Sequence, residues 1–158
     1  TSLNNYYISN LKDYDEYIIN TKFCNDSTAS NDTYYDAYAR IITNNIPSFN
    51  CLGEKYSAKI GLLTVDEIIY AGATMSAENQ KYYLYNDNIK SLWWTLTLAK
   101  TADNDFYPFS VTEKGKISYE TSGTLYRGLR PTINIIKKAT VSGKGTIDNP
   151  YIINTDVK

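Results

Sequence analysis

The sequence contains no histidine, so the side chain that most often acts as a general base is missing. Ser-His-Asp and Cys-His catalytic arrangements are therefore excluded within one chain. The phosphate-binding patterns GxxxxGKS, GxxxxGKT and GxGxxG are also missing. Paired carboxylates such as Asp66 with Glu67, or Asp103 with Asp105, are the remaining candidates for glycoside hydrolysis, but the sequence does not fix their separation. We expect no enzymatic activity and no cofactor.

Neither sign of charge dominates the chain, which carries 16 Lys+Arg, 17 Asp+Glu and a formal net charge of -1. Without a basic excess, nucleic acid is a poor partner. The sequence also lacks an apolar run long enough to span a bilayer and lacks the hydrophobic region of a signal peptide. We therefore expect a soluble mature domain, and treat an export or anchoring segment ahead of Thr1 as a hypothesis.

Cysteine is scarce: Cys24 and Cys51 are the only two in the sequence. They do not form a CxxC pair and have no histidine to join them, so we expect no metal site. An even number in a domain of extracellular character favours one disulfide, which would stabilise the fold by about 3 kcal/mol. The alternative is two unpaired, buried thiols in a cytosolic protein. The polar composition between them favours the bridge and an extracellular or cell-surface location.

Tyrosine, in contrast, is abundant, with 16 residues among many asparagines and threonines. Tyr and Thr favour strands, whereas Asn favours turns. Tyr-rich surfaces are common in extracellular binding domains, because the ring supplies a rigid contact with a polar tip. The ordinary alternative for any single tyrosine is that it covers the core with its hydroxyl in water.

The length of 158 residues predicts one domain with a real hydrophobic core. A first short helix is predicted after Asn10 as N-cap, and a capping box predicts a second, with Thr64 as N-cap and Glu67 three residues later. Residues 34–42 fit either a helix or a strand, with helix slightly favoured. Strands are predicted at 6–8, 60–63, 92–98, 106–111, 116–119, 129–136 and 151–153, and residues 82–85 are either a strand or a segment lying across the core.

Early helices followed by a run of antiparallel strands indicate an α+β fold. The central strand carries Trp93 and Trp94, whose side chains must point to opposite faces. One fills the core, and the other either packs under a second layer or forms a binding platform. Packing is the commoner outcome for Trp. We expect the stretch 128–135 to be the partner of this strand.

Three stretches carry a family resemblance: GLLTVDE at 61–67 with YAG at 70–72, WWTLT at 93–97, and GLRP at 128–131 with INI at 133–135. Together they resemble a family of bacterial extracytoplasmic domains similar to the C-type-lectin-like fold of the formylglycine-generating-enzyme group. The ending GTIDNPYII at 145–153 resembles the C-termini of such proteins in Gram-positive gut bacteria. Some proteins of that kind begin with a prepilin-like or other membrane-anchoring segment.

The resemblance covers roughly residues 60–153. It implies short helices packed on mainly antiparallel sheets. The whole chain, 1–158, is then a single domain in which residues 1–59 are a disulfide-containing N-terminal extension and residues 60–158 are the lectin-like core.

The sequence departs from the functional members of that superfamily. The tripeptides of calcium-dependent lectins, EPN, QPD and WND, do not occur, and the last cysteine is Cys51, too early for formylglycine-generating chemistry. A calcium site in the run Asp103-Asn104-Asp105 has only weak support from its spacing. Arg130 is expected to be structural, through an ion pair or backbone hydrogen bonds. Its alternative role is an anion clamp.

The function predicted is a non-catalytic extracellular or cell-surface binding or adhesion domain for a glycan or protein ligand. The predicted site is the loop after the tryptophan strand, with Asp103, Asn104 and Asp105 as polar groups and Trp93 or Trp94 nearby. The alternative is a structural subunit of a surface assembly, such as a pilin-like protein.

Overall fold

The structure is a computed structural model and describes residues 2–121, 127–146 and 148–154. In chain order its elements are α1 (Ser2–Asn10), a 3-10 segment (Lys12–Tyr17), β1 (Thr21–Asn25), α2 (Asp36–Tyr38), a π-helical turn (Ala39–Thr43), β2 (Glu54–Ala58), β3 (Ile60–Leu62), α3 (Val65–Tyr70), β4 (Trp93–Ala102), β5 (Asp105–Val111), β6 (Ile117–Tyr119), β7 (Gly128–Leu129), β8 (Pro131–Ile133), β9 (Val141–Ser142) and β10 (Ile152–Ile153).

The main sheet has four strands in the order β6-β5-β4-β7, and three two-stranded pairs, β1-β2, β3-β8 and β9-β10, accompany it. Between the strands that the structure describes, every pairing is antiparallel except that of β4 with β7. That parallel pairing places Trp93 opposite Gly128 and Trp94 opposite Leu129, which confirms the predicted partner of the tryptophan strand. The chain is a mixed α+β fold with mostly antiparallel sheets, as predicted.

Strand β4 forms one side of the hydrophobic core because its alternate residues Trp93, Thr95, Thr97 and Ala99 are buried. The Thr97 hydroxyl accepts a hydrogen bond of 3.1 Å from the Val65 amide, so this buried polar group is paired and ties β4 to the start of α3.

The same core extends into the N-terminal part of the chain. Ala37 and Ile41 are fully or almost fully buried and belong to one cluster with Trp93, Ile68 and Phe109. The division of the domain at residue 59 stays a prediction, and the core itself crosses that position.

Several local predictions are confirmed. Thr64 and Glu67 form the complete capping box of α3, and Gly72, just past its end, has a φ of 109°. Strands β5 and β6 form the predicted hairpin. Of residues 34–42, those from Asp36 onward are helical, through α2 and the π-helical turn, whereas Tyr34 and Tyr35 form isolated β-bridges.

Other local predictions are wrong. Residues 6–8 belong to α1 instead of a strand, because Leu3, Tyr7 and Leu11, spaced four residues apart, pack against Ile18 and Ile60. Asn10 consequently ends a helix instead of beginning one. Tertiary packing overrides the β-propensity of Tyr6 and Tyr7 here.

Two predicted strands in the second half of the chain also differ. Residues 82–85 form turns across the core, which was the alternative interpretation. The strand expected over 129–136 breaks at Arg130 into β7 and β8, which pair with different sheets.

Candidate functional site

The structure separates the residues of the predicted ligand site. Trp93 is 4% exposed and lies in the core, and Trp94 is half-buried on the opposite face of β4. Asp103 and Asn104 form the turn at the other end of this ten-residue strand. At about 3.3 Å per residue, roughly 30 Å separates the two groups. They cannot contact one small ligand together.

Turn geometry accounts for the Asp-Asn run. Asp103 and Asn104 have φ values of 53° and 61°, the left-handed pair of a two-residue hairpin turn, which Asn and Asp tolerate well. The Asp105 carboxylate accepts hydrogen bonds from the Phe106 amide and the Thr121 hydroxyl. Within the described residues, no group of three or more acidic or cysteine side chains is arranged to hold a metal ion.

Arg130 makes the kind of contacts expected of a structural residue. Its guanidinium donates a hydrogen bond to the Leu84 carbonyl and lies 5.3 Å from the centre of the Trp93 ring. The cation–π contact and the hydrogen bond hold the turns at 82–85 against the beginning of β4.

A cleft of about 510 Å³ lies elsewhere, between the β1-β2 hairpin, the loop 46–53 and the start of α3. We call it the disulfide cleft, because the Cys24–Cys51 bridge lines it. The two Cα atoms are 5.7 Å apart, so the predicted disulfide is confirmed. The volume lies within the range of about 300–1,000 Å³ usual for small-ligand sites.

A buried ion cluster lines the disulfide cleft. Arg40 donates from Nε to Asp66 Oδ1 at 2.9 Å and from Nη2 to Asp66 Oδ2 at 2.8 Å. Nη2 also donates to Asp26 Oδ2 at 2.7 Å. The three side chains are at most 12% exposed. The Ser48 amide donates to Asp66 Oδ1 at 2.8 Å, which fixes the loop onto the cluster.

The electrostatics of this cluster keep the arginine charged. Hydrogen bonding to Asp66 raises the pKa of Arg40, against the opposing effect of desolvation. One cation faces two carboxylates, and two buried atoms, Asp26 Oδ1 and Arg40 Nη1, have no hydrogen-bond partner within the described residues. Buried polar atoms of this kind are uncommon in native proteins.

An aromatic pair forms the rim of the cleft. Phe49, which lines the cleft, stacks on Tyr70 with ring centres 4.2 Å apart and an interplanar angle of 17°. The Tyr70 hydroxyl donates to the Pro47 carbonyl at 2.8 Å, which fixes the supporting ring. Phe49 is nevertheless 69% exposed. Since one face is covered by Tyr70, the opposite face is the one available to a ligand.

Two lysines lie on the β1-β2 wall of the cleft. Lys22 and Lys55 are both exposed, and neither forms a salt bridge within the part of the chain that the structure describes. Hydroxyl and amide side chains complete the polar lining: Thr21, Ser48, Thr64, Thr132, Asn50 and Asn134. The arrangement offers an aromatic face, free ammonium groups and neutral hydrogen-bonding groups within one concavity.

Neither acidic residue at the start of α3 is a free carboxylate. Asp66 is held by Arg40 and Ser48, and Glu67 accepts hydrogen bonds from the amide and hydroxyl of Thr64. Asp66 and Glu67 therefore stabilise the wall of the cleft through these hydrogen bonds. The expectation that the chain is not an enzyme stays a prediction.

Sequence reasoning missed Arg40, Asp26, Lys22 and Phe49 as site residues. For Asp26, Lys22 and Phe49 the usable signal was the disulfide, because joining Cys24 to Cys51 brings the residues next to each cysteine together. Arg40 is adjacent to neither cysteine and had no such signal. No helix in the described ranges combines the length and the apolar character needed to cross a bilayer.

Comparison of the chain with protein-family models, curated proteins and solved structures finds no match.

Proposed function

We propose that the chain is a non-catalytic binding domain of the cell exterior that takes a glycan or protein ligand in the disulfide cleft. The observation that carries the proposal is the stacked Phe49–Tyr70 pair beside the buried Arg40–Asp66 cluster. Ligand sites in proteins commonly combine an apolar surface with a few well-placed polar groups. Here the aromatic pair and the ion cluster are both preorganised, since Tyr70 and Ser48 are each held by a hydrogen bond.

The disulfide supports the proposed compartment. Such bridges persist in oxidising surroundings and are rare in the cytosol, which supports an extracellular or cell-surface location. The mixed α+β architecture is compatible with the proposed C-type-lectin-like scaffold. In this proposal the ligand contacts the disulfide cleft and not the turn at Asp103 and Asn104.

The test is binding of the intact chain to an array of glycans and peptides, with Phe49→Ala and Phe106→Ala compared with the wild type. Phe106 is the matched control, because it is 51% exposed on β5 and does not line the cleft. We expect wild-type binding to be lost in Phe49→Ala and kept in Phe106→Ala.

Unchanged binding by the Phe49→Ala variant would place the site elsewhere. No binding by the wild type, together with concentration-dependent self-association, would instead support the assembly-subunit alternative.

A further inference from the structure

We infer that the disulfide cleft selects an acidic saccharide, whose carboxylate or sulfate lies against Lys22 and Lys55 while a sugar ring stacks on Phe49. The inference rests on the proposed function and specifies its ligand class.

Strand register brings the two lysines together. In the antiparallel β1-β2 pair, Lys22 is opposite Ser57 and Cys24 is opposite Lys55. Residues two apart on a strand share a face, so Lys22 and Lys55 are diagonal neighbours on the same face. Diagonal neighbours lie about 7–8 Å apart, within reach of one anion for two flexible four-carbon side chains.

The acidic side chains that line the cleft are already bonded to other groups, so the two lysines are available to an anionic ligand. Arg40 is taken up by Asp26 and Asp66, and Glu67 is held by Thr64. Both lysines line the cleft and lack a carboxylate partner in the described part of the chain. An incoming anion therefore meets ammonium groups that need not give up an existing ion pair.

The rest of the cleft favours a sugar over an acidic peptide. A flat, exposed ring such as Phe49 offers apolar area to the face of a pyranose, and the surrounding hydroxyl and amide groups suit sugar hydroxyls. The cleft is also a bounded volume of about 510 Å³, whereas an extended peptide needs a longer groove or a strand edge.

The experiment uses an array of saccharides in matched pairs, each uronic acid or sulfated sugar beside its neutral counterpart, with oligoglutamate as the peptide probe. The variants are Lys22→Ala/Lys55→Ala, its charge-preserving form Lys22→Arg/Lys55→Arg, and Lys137→Ala/Lys138→Ala as a charge-matched control outside the cleft. We expect the wild type to prefer acidic members at least tenfold. The alanine pair should lose that preference, and the other two variants should keep it.

Equal binding of acidic and neutral sugars by the wild type, or an undiminished preference in Lys22→Ala/Lys55→Ala, would overturn this inference and leave the proposed function standing. Binding of oligoglutamate alone would also overturn it, in favour of an acidic peptide. Loss of all binding in Phe49→Ala, but only of the acidic preference in the lysine pair, would support both the proposed function and the inference. No binding of any saccharide by the wild type would overturn the inference, and the proposed function would then depend on the array of glycans and peptides described above.

Discussion

Arg40 and Asp66 are joined by two parallel hydrogen bonds of 2.9 and 2.8 Å, which connect the π-helical turn to the first turn of α3. Asp26 completes the cluster from the loop after β1. Two-bond pairing of this kind fixes orientation as well as distance. The relative position of three segments therefore depends on one guanidinium.

We expect Arg40→Met to destabilise the protein by about 3–5 kcal/mol, because it leaves two buried carboxylates unpaired. Urea denaturation measures the free energy of unfolding. The matched control is Arg127→Met, since Arg127 pairs with Glu120 near the surface and such a bridge contributes at most about 1 kcal/mol. Equal losses in the two variants would contradict the assigned role of the cluster.

Removal of the disulfide in Cys24→Ser/Cys51→Ser should lower the free energy of unfolding by about 3–4 kcal/mol on the chain-entropy model, given the sequence separation of 27. The same loss is expected when the wild type is unfolded with a reductant present. Alkylation of both cysteines in the native, unreduced protein would show that the bridge is not formed.

The capping box predicts a smaller effect. Thr64→Ala removes the hydroxyl that accepts a hydrogen bond from the Glu67 amide, and should cost about 0.5–2 kcal/mol in the free energy of unfolding. Thr64→Ser keeps a capping hydroxyl and should remain close to the wild type. Thermal denaturation of the two variants side by side distinguishes loss of the cap from a general effect of substitution.

A pH dependence is expected at Asp15. Hydrogen bonds from Lys59 and Tyr7 lower the pKa of this carboxyl to about 2 from its usual 3.8. Because the pKa is lower in the folded state, the stabilisation is fully present above the unfolded value and is lost as pH falls from about 4 towards 2. Asp15→Asn should show a shallower decline of melting temperature across this window. Parallel declines in the two proteins would contradict the prediction.

What the sequence could predict was local or strongly patterned. Thr64 and Glu67 define a helix start by themselves, and Trp93 with Trp94 mark a strand by their composition. The pairing of Arg40 with Asp66 has no such signature, because the two residues are 26 positions apart and either charge alone is typical of a helix surface. The helix α1 was missed because its contacts with Ile18 and Ile60, and not its own propensity, determine its conformation.

The segment 128–136 has a consequence for the order of folding. It pairs successively with β4 through Gly128–Leu129 and with β3 through Pro131–Ile133, and Ile135 then forms an isolated bridge to Ile18, just after the 3-10 segment. The sequence between this segment and its most distant partner is most of the chain. The entropy cost of closing long loops must therefore be overcome before these pairings form. During synthesis, β3, β4 and the residues around Ile18 would wait for this late segment before their pairings with it could form. An unpaired β3 edge would be exposed in the meantime, and exposed strand edges of this kind favour association between incompletely folded chains.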